Sequence, residues 1–413
     1  MFIQRPKGTY DLLPDKAFKR TFIEAKLREI LSDFNYDEIR TPAFEKTVLF
    51  KRSIGEETDI VSKEMYTLSD DEFTLKPEMT APVIRAYLEN SLFNEAPLKK
   101  LFYICNMFRR ERPQAGRFRE FSQFGAEAIG SSDSLMDIEM ISLGELILKK
   151  FGIENFYIRI NTIGTMEERK VFLVELIKYL EKNKSELSQD SKRRLVINPL
   201  RILDSKDEGD IKILEGSPVL YDFLTEESKN NFEKILKGLD DLSVKYTVDF
   251  KLVRGIDYYT NTVFEFISDS LGAKNSLLGG GRYDVLVQQL GGKPTPAIGF
   301  AAGIERFITI LDANNFFYPT PKQLQLYIIT IGDDSRKFAS GLLQSLRNDG
   351  VKCDTDYLGR NVKSQMKEAN KLNAKYVLVI GDEEIKSGKG KLKRMSDGTE
   401  IEVEDFNNIK NML

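Results

Sequence analysis

Apolar residues in the first part of the chain recur with two different spacings. Residues 17–35 and 137–151 have the spacing of amphipathic helices. The segment "FYIRINTIG" alternates as a strand does. "YDEIRTPAF" predicts a short strand broken at Pro42, and "DEFTLKPEMTAPVIRAYLEN" predicts a strand, a loop and then a helix. The pattern therefore favours a mixed α/β fold.

The middle of the chain has a different composition. From about residue 165 it is rich in Lys, Glu, Leu and Ser, with helical periods at 166–184 and 225–239, which predicts a helical insertion at about 165–245. Strand-like alternation returns at 250–267, followed by a glycine cluster at 279–281. "AIGFAAGIERFITIL" then predicts a strand that passes into a helix.

The segment "NNFFYPTPKQ" carries two prolines and marks a domain boundary. After it come strand "LQLYIITIG", a helix at 334–348, a short strand near 351–354, a helix at 362–372, strand "YVLVIG" and a Lys-rich hairpin. This alternation predicts a small α/β unit. We therefore predict domains at 1–320 and 323–413.

The amino-acid composition restricts the kinds of ligand binding, metal site and catalysis that the chain could support. The 413 residues carry a net charge of −3, which argues against wholesale nonspecific nucleic-acid binding but permits a local basic surface. The two cysteines lie far apart, so we expect neither a disulfide framework nor a zinc site, and a reducing cytoplasm is the default. No apolar run approaches the roughly 18 residues of a membrane span. Histidine is absent, so catalysis must use carboxylates, guanidiniums, hydroxyls or the substrate itself.

The stretch "FRRERPQAGRFREFSQFGAEAIG", residues 108–130, interleaves arginine and glutamate with phenylalanine. If it forms two strands around a loop at Pro113–Phe118, alternation places one set of side chains on a single face. This face suits a ligand with a phosphate, a purine ring and an N–H group. The alternative is a solvated hairpin with cross-strand ion pairs. The set comprises Arg109, Glu111, Phe121, Gln123 and Glu127, with Gly125 leaving a gap where a ligand could approach the backbone.

These residues resemble the second motif of the class II aminoacyl-tRNA synthetases, and "AIGFAAGIERF" resembles the third. The segment ending at Pro42 resembles the weak first motif. "LVRGIDYYTNTVFEF" and "GGGRYD" resemble segments peculiar to the histidyl-tRNA synthetases. The resemblance covers most of the chain, and its C-terminal unit resembles an anticodon-binding domain. It implies an α+β fold, with a large antiparallel sheet, a helical insertion and a C-terminal α/β domain.

The resemblance also implies roles for individual residues. For ATP, Arg109 would grip the α-phosphate, Glu111 the adenine amino group and Arg306 the γ-phosphate, while Phe121 stacks on the ring. Arg109, Arg254 and Arg306 form the implied catalytic set. The implied histidine-binding set is Glu78 and Thr80 for the amino group, Gln123 and Arg254 near the carboxylate, and Glu127, Tyr258, Tyr259 and Tyr283 around the imidazole.

The implied reaction activates histidine with ATP and transfers it to the 3′ end of tRNA(His). The resemblance implies Mg²⁺ on the ATP phosphates, no dedicated metal site, and a homodimer built on the first motif. Two other readings stay open: a histidine-biosynthesis regulatory subunit, which typically lacks the C-terminal domain and the arginine of "LVRG", and an RNA-binding module that senses uncharged tRNA. The chain retains that arginine, Arg254, which favours the enzyme.

Three positions depart from the family pattern. Ser122 stands where histidine is usual, Arg110 where it is frequent, and Lys76 where arginine is common. Alternation predicts that Ser122 and Arg110 face away from the ligand, so we expect these changes to be tolerated. Lys76 would lose a bidentate contact. The complete lack of histidine would let the enzyme be made when charged tRNA(His) is scarce; drift in a Lys/Asn-rich genome is the alternative.

Overall fold

The computed structural model describes residues 3–55, 58, 60–69, 72–111, 118–268 and 276–413. The chain divides into two compact units, Met1–Phe317 and Tyr318–Leu413. The hairpin loop expected at 113–118 lies, apart from Phe118, outside the described residues. Within the described part of the chain, no helix is long and apolar enough to cross a membrane.

The first unit is built on a large sheet. Its described strands are β1 Asp37–Glu38, β2 Phe44–Lys46, β3 Tyr66–Thr67, β4 Phe73–Leu75, β5 Lys99–Phe108, β6 Glu120–Ile129, β7 Tyr157–Thr162, β8 Tyr246–Val248, β9 Thr260–Ile267, β10 Ser276–Arg282 and β11 Ala297–Gly303. The large sheet has the order β1-β5-β6-β11-β10-β9-β7-β8, and β2-β4-β3 form a small separate sheet. The inner pairings are antiparallel, as the resemblance implies. The outer pairings, β1 with β5 and β7 with β8, are parallel, so the sheet as a whole is mixed.

Helices cover this sheet and form the insertion. They are α1 Pro14–Asp33, α2 Thr47–Ile54, α3 Thr80–Glu89, α4 Ser134–Lys150, α5 Met166–Lys182, α6 Gln189–Ile197, α7 Glu208–Leu214, α8 Glu226–Asp241, α9 Leu286–Gln289 and α10 Ile304–Ala313. Helix α1 begins with a proline and buries Ile23, Leu27 and Leu31 on one face. The predicted helical insertion is present as α5–α8, with its own core around Phe172 and Leu176.

Helix α5 has a well-defined start. The Thr165 side chain accepts from the backbone N–H of Glu168, and the Glu168 carboxylate accepts from the N–H of Thr165, which forms a capping box. The same carboxylate also accepts from Thr225, which precedes α8. One buried glutamate therefore ties two helices of the insertion together.

One local prediction was wrong. The alternating segment 250–267 becomes a strand only at Thr260–Ile267; the described residues 249–259 form turns and extended chain. The glycine cluster 279–281 lies inside β10.

The second unit contains a five-stranded sheet, counted over its described residues. Its strands are β12 Leu326–Thr330, β13 Cys353–Thr355, β14 Tyr376–Ile380, β15 Gly390–Arg394 and β16 Glu400–Val403, in the order β13-β12-β14-β15-β16. Its helices are α11 Asp333–Asn348, α12 Val362–Lys371 and α13 Asp382–Ser387. The predicted α/β pattern is present, with the short helix α13 as an unpredicted addition before the hairpin.

Candidate active site

One cavity of about 310 Å³ lies over the inner strands of the large sheet. Its walls come from the start of α3, the ends of β5 and β6, strands β10 and β11, the first turn of α10, and residues 254–259. All but one of the residues implied for ATP and histidine line this cavity. They are Glu78, Thr80, Arg109, Glu111, Phe121, Gln123, Arg254, Tyr258, Tyr259, Tyr283 and Arg306.

The exception is Glu127, which lies behind the cavity wall and is only 1% exposed. Its two carboxylate oxygens accept hydrogen bonds from Thr80 Oγ1 at 2.9 Å and from the Tyr283 hydroxyl at 2.6 Å. Burial raises the pKa of Glu127 to about 8, although both hydrogen bonds act in the opposite direction. The carboxyl group is therefore reached from the cavity through Thr80 and Tyr283.

Space for Glu127 is provided by a glycine on the neighbouring strand. A Cβ atom at Gly299 would lie 1.7 Å from Glu127 Oε2. Strand β11 pairs with β6 so that Gly299 stands opposite Glu127. The small glycines of the third motif thus make room for the buried carboxylate.

Glu78 supplies a second buried carboxylate. Its oxygens accept the backbone N–H groups of Thr80 at 2.7 Å and Ala81 at 3.0 Å, at the start of α3. Burial raises the pKa of Glu78, and the two backbone N–H groups oppose that rise. The start of α3 therefore presents a fixed carboxylate and a hydroxyl side by side to the cavity.

Three tyrosines form the adjoining wall. The ring centroids of Tyr258 and Tyr259 lie 4.7 Å apart, and those of Tyr258 and Tyr283 lie 5.6 Å apart. All three are buried, and burial raises the pKa of each phenol. The hydroxyls consequently stay protonated at neutral pH and act as hydrogen-bonding groups.

The gap predicted at Gly125 is filled by the protein. A Cβ atom at Gly125 would lie 2.4 Å from the Tyr103 hydroxyl, which stands opposite it in the β5–β6 pairing. Tyr103 lines the cavity, and its buried hydroxyl has no hydrogen-bond partner among the described residues. Sequence reasoning missed Tyr103, although a hairpin centred on residue 114 would have placed it opposite Gly125.

Two of the three guanidiniums are anchored on backbone carbonyls. Arg109 Nε donates to Pro77 O at 2.8 Å, and its guanidinium carbon lies 5.3 Å from the centroid of the Phe121 ring. Arg306, in the first turn of α10, donates to Ser276 O at 3.0 Å. Among the described residues, Arg109 and Glu111 form a loose ion pair at 3.9 Å.

Arg254 is held by a residue that sequence reasoning missed. Its Nη1 donates to Glu265 Oε1 on β9 at 3.0 Å. A Cβ atom at Gly279 would lie 2.2 Å from Arg254 Nη2, so the strand position of this glycine accommodates the arginine. Strand β10 thus has a glycine at the point where the Arg254 side chain approaches it closely.

Glu305 of the third motif also lines the cavity, but its oxygens are occupied. They accept from the Ser122 backbone N–H at 3.0 Å, the Tyr10 hydroxyl at 2.6 Å and Arg20 at 3.3 Å. Ser122 Oγ contacts Asn106, and Arg110 contacts Lys63 O. Neither Ser122 nor Arg110 lines the cavity, in agreement with the alternation.

Lys76 also lies outside the cavity lining. It is buried and donates to Thr41 O at 3.2 Å. If lysine at this position makes fewer hydrogen bonds than an arginine would, the lost bonds are therefore to the chain around Thr41. Such a loss would affect the ligand only indirectly.

An antiparallel sheet core with three arginines and a buried tyrosine–carboxylate wall around one cavity is the arrangement of a class II aminoacyl-tRNA synthetase. Comparison with known proteins agrees with this class. A family profile described as "Histidyl-tRNA synthetase" matches residues 8–307, and one described as "Anticodon binding domain" matches residues 325–412. The chain belongs to the histidyl-tRNA synthetase family.

Individual relatives extend over the whole chain. A histidine–tRNA ligase of Halothermothrix orenii is 46% identical and covers 100% of this chain and 99% of its own. One of Clostridium novyi is 46% identical over 99% of this chain and 98% of its own. The crystal structure of apo S. aureus histidyl-tRNA synthetase has a TM-score of 0.84 and 38% identity, covering 100% of this chain and 99% of that one.

Proposed function

We propose that this chain is a histidine–tRNA ligase, which activates histidine with ATP and transfers it to the 3′ end of tRNA(His). The observation that carries the proposal is the convergence of Arg109, Arg254 and Arg306 with the tyrosine wall around one cavity. Full-length similarity to histidine–tRNA ligases supports it.

In the first step the histidine carboxylate attacks the α-phosphorus of ATP. A carboxylate–phosphorus bond forms, the bond from the α-phosphorus to the bridging oxygen breaks, and pyrophosphate leaves. The nucleophile is already an anion, so no enzyme base is needed, and alignment with charge neutralisation carries the catalysis. A protein without histidine can therefore perform this chemistry.

For ATP we assign the outer part of the cavity. Arg109 would contact the α-phosphate, Arg306 the γ-phosphate, and Phe121 the adenine ring, with Glu111 at the adenine amino group. Guanidinium groups match phosphate oxygens in charge and geometry. The approach of Arg109 to the face of Phe121 supports a shared nucleotide position for these residues.

For histidine we assign the deep part of the cavity. Glu78 and Thr80 would receive the amino group, and Gln123 and Arg254 the carboxylate. The imidazole would lie against Tyr258 and Tyr259, and one of its N–H groups would replace the hydroxyl of Tyr283 or Thr80 as a donor to Glu127. A ligand without that N–H could not take the place of either hydroxyl and would gain no bond to Glu127, which gives selectivity.

Mg²⁺ fits this reaction as a partner of the ATP phosphates. Within the described residues no group of three or more acidic or cysteine side chains is placed to hold a metal ion. We propose that Mg²⁺ enters with ATP, retains several water ligands, and adds positive charge beside the phosphates.

We further propose a cytoplasmic homodimer. Both cysteines are free thiols, which suits a reducing compartment. Just after the segment that resembles the first motif, Phe44 is 52% exposed and Val48 48%, and a second copy would cover such apolar surface. Analytical ultracentrifugation tests the dimer directly.

The function is tested by histidine-dependent ATP–pyrophosphate exchange, followed by aminoacylation of tRNA(His) transcript. We expect exchange with histidine alone among the twenty amino acids, and charging of the transcript. Histidine binding without exchange would favour a regulatory subunit. Exchange without charging would contradict the assignment of the second step.

A further inference from the structure

The cavity wall formed by residues 252–259 lacks the support of regular secondary structure. Every residue of this 252–259 segment is described, and none lies in a helix or strand. Yet the segment supplies Arg254, Tyr258 and Tyr259 to the cavity. Side chains that bind a ligand must be held to within a fraction of an ångström, so something outside the segment must fix it.

The segment is shared between two hydrophobic cores. Leu252 and Ile256 pack in the core of the catalytic sheet, whereas Val253 packs against the core of the helical insertion. Arg254 lines the main cavity and also a second cavity of about 40 Å³ between the segment and the insertion. The segment is thus the physical boundary between the insertion and the active site.

Three side chains of the insertion bind this boundary. Arg201 donates to Gly255 O, Asn198 Nδ2 donates to Asp257 Oδ1 at 3.0 Å, and Arg169 Nη2 donates to Tyr259 O at 2.5 Å. Successive contacts at residues 253, 255, 257 and 259 therefore come from the insertion.

Arg169 stands out because of its burial. Arg169 lies on α5 and is only 7% exposed. Burial lowers the pKa of its guanidinium, and the charge of Asp257 opposes that shift. A buried arginine is costly unless its interactions compensate. The hydrogen bond from Arg169 Nη2 ends on the backbone carbonyl of Tyr259, whose ring lines the cavity.

We propose that the helical insertion is a positioning element of the histidine site, with Arg169 as its principal positioning residue. Arg169 acts through the Tyr259 carbonyl and fixes the imidazole wall, and together with Asn198 and Arg201 it sets the placement of Arg254. This inference rests on the proposed function. The ATP residues Arg109, Glu111, Phe121 and Arg306 come from other elements and do not depend on it.

The test measures pyrophosphate exchange for Arg169→Met, which removes the donor and retains an apolar stem of similar length. We expect the KM for histidine to rise about tenfold and kcat to fall, while the KM for ATP stays within about twofold. Arg169→Lys, which can donate to the same carbonyl, should recover most of the loss. Asn198→Ala should give the same pattern more weakly, and it keeps the test available if Arg169→Met does not fold.

Asp210→Asn is the matched control. Asp210 is fully buried and bound by Ser188, Ser191 and Ser205, all inside the insertion, so its change loosens the insertion without contacting the 252–259 segment. We expect a lower unfolding temperature with an unchanged KM for histidine. If Asp210→Asn reproduced the kinetic pattern, or if Arg169→Met lost activity with both KM values unchanged, the positioning role would be refuted. An inactive wild-type chain would instead refute the proposed function.

Discussion

At its deep end the cavity is bounded by groups that bind one another closely, whereas the described ion pair at its outer end is longer. Glu127, Thr80 and Tyr283 form a closed hydrogen-bonded set, and Tyr283 is 1% exposed. The outer pair, Arg109 and Glu111, is separated by 3.9 Å, and the side chains are 19% and 12% exposed. Among the described residues the deep end is therefore a closed set, and the outer pair is looser and more exposed.

This difference separates selectivity from catalysis. A buried set of fixed donors and acceptors discriminates between small ligands because a wrong ligand leaves polar groups unpaired. Partly exposed guanidiniums discriminate little, but they neutralise the phosphate charge that develops in the reaction. Changes at the deep end should therefore act mainly on histidine, and changes at the outer end mainly on ATP.

The largest expected effect is at the deep end. Glu127→Gln keeps the shape but replaces one of the two oxygen acceptors with an N–H₂ donor that faces the hydroxyl of either Thr80 or Tyr283. We expect kcat/KM for histidine to fall by about a hundredfold or more, with the KM for ATP within about threefold. Glu120→Gln, on the same strand but outside the cavity lining, is the control. Near-wild-type exchange in Glu127→Gln would remove Glu127 from the histidine site.

At the outer end, Arg109→Lys tests the converse. Lysine retains the charge and loses the planar fork, so we expect kcat/KM for ATP to fall by about ten- to a hundredfold while the KM for histidine changes little. Arg110→Lys is the matched control, since the neighbouring arginine contacts Lys63 O and lies outside the cavity lining. An equal effect of both substitutions would abolish the distinction between the two ends.

The stability of the free protein should report the buried carboxyl of Glu127. Its pKa is raised by burial from 4.5 to about 8, so the folded state retains a proton that the unfolded chain has released. The contribution of Glu127 to the free energy of unfolding is fully present below about pH 4.5, and it is lost as the pH rises through about 8. The free energy of unfolding of the wild type, relative to Glu127→Gln, should thus fall from pH 5 to pH 8 by up to a few kcal/mol.

Urea unfolding of both proteins across this range provides the measurement. If the unfolding free energies of the wild type and Glu127→Gln changed in parallel with pH, Glu127 would ionise as an ordinary glutamate. The deep end would then lack the buried, protonated carboxyl that distinguishes it from the outer end. Saturating histidine should weaken the dependence if its imidazole pairs with Glu127.

The smallest expected effect is that of Tyr103→Phe. The Tyr103 hydroxyl is buried without a partner among the described residues, so its removal forfeits no protein hydrogen bond. We expect an unfolding free energy within about 1 kcal/mol of the wild type, and exchange activity within about threefold. A much larger loss of activity would show that the ligand uses this hydroxyl, and the deep end would extend to β5.

The alternation of apolar residues predicted the elements of both units well where one face of an element is buried. Strand β12 and helix α11 begin and end within a few residues of their expected positions. The strand prediction failed for residues 250–259 because Leu252 and Val253 alternate between two different cores, not between two faces of a sheet. A sequence pattern of period two cannot distinguish these cases.

Motifs named residues that converge on one cavity, but they did not predict how deep each residue lies. Alternation correctly placed Phe121 and Gln123 on the cavity side, whereas Glu127, on the same strand face, lies behind the wall formed by Thr80 and Tyr283. Glu265 could not be found because its role depends on the turn that brings Arg254 back to β9. Such contacts arise from tertiary packing between segments, which no local pattern records.

Gly279 and Gly299 have a consequence for attempts to change the amino acid that this enzyme charges. A side chain at Gly279 would displace Arg254, and one at Gly299 would displace Glu127 and crowd the backbone of Ala126, so neither glycine offers a substituent to adjust. An engineered variant with a new substrate is better sought among the tyrosines of the walls, because changes at these two glycines would move Arg254 or Glu127.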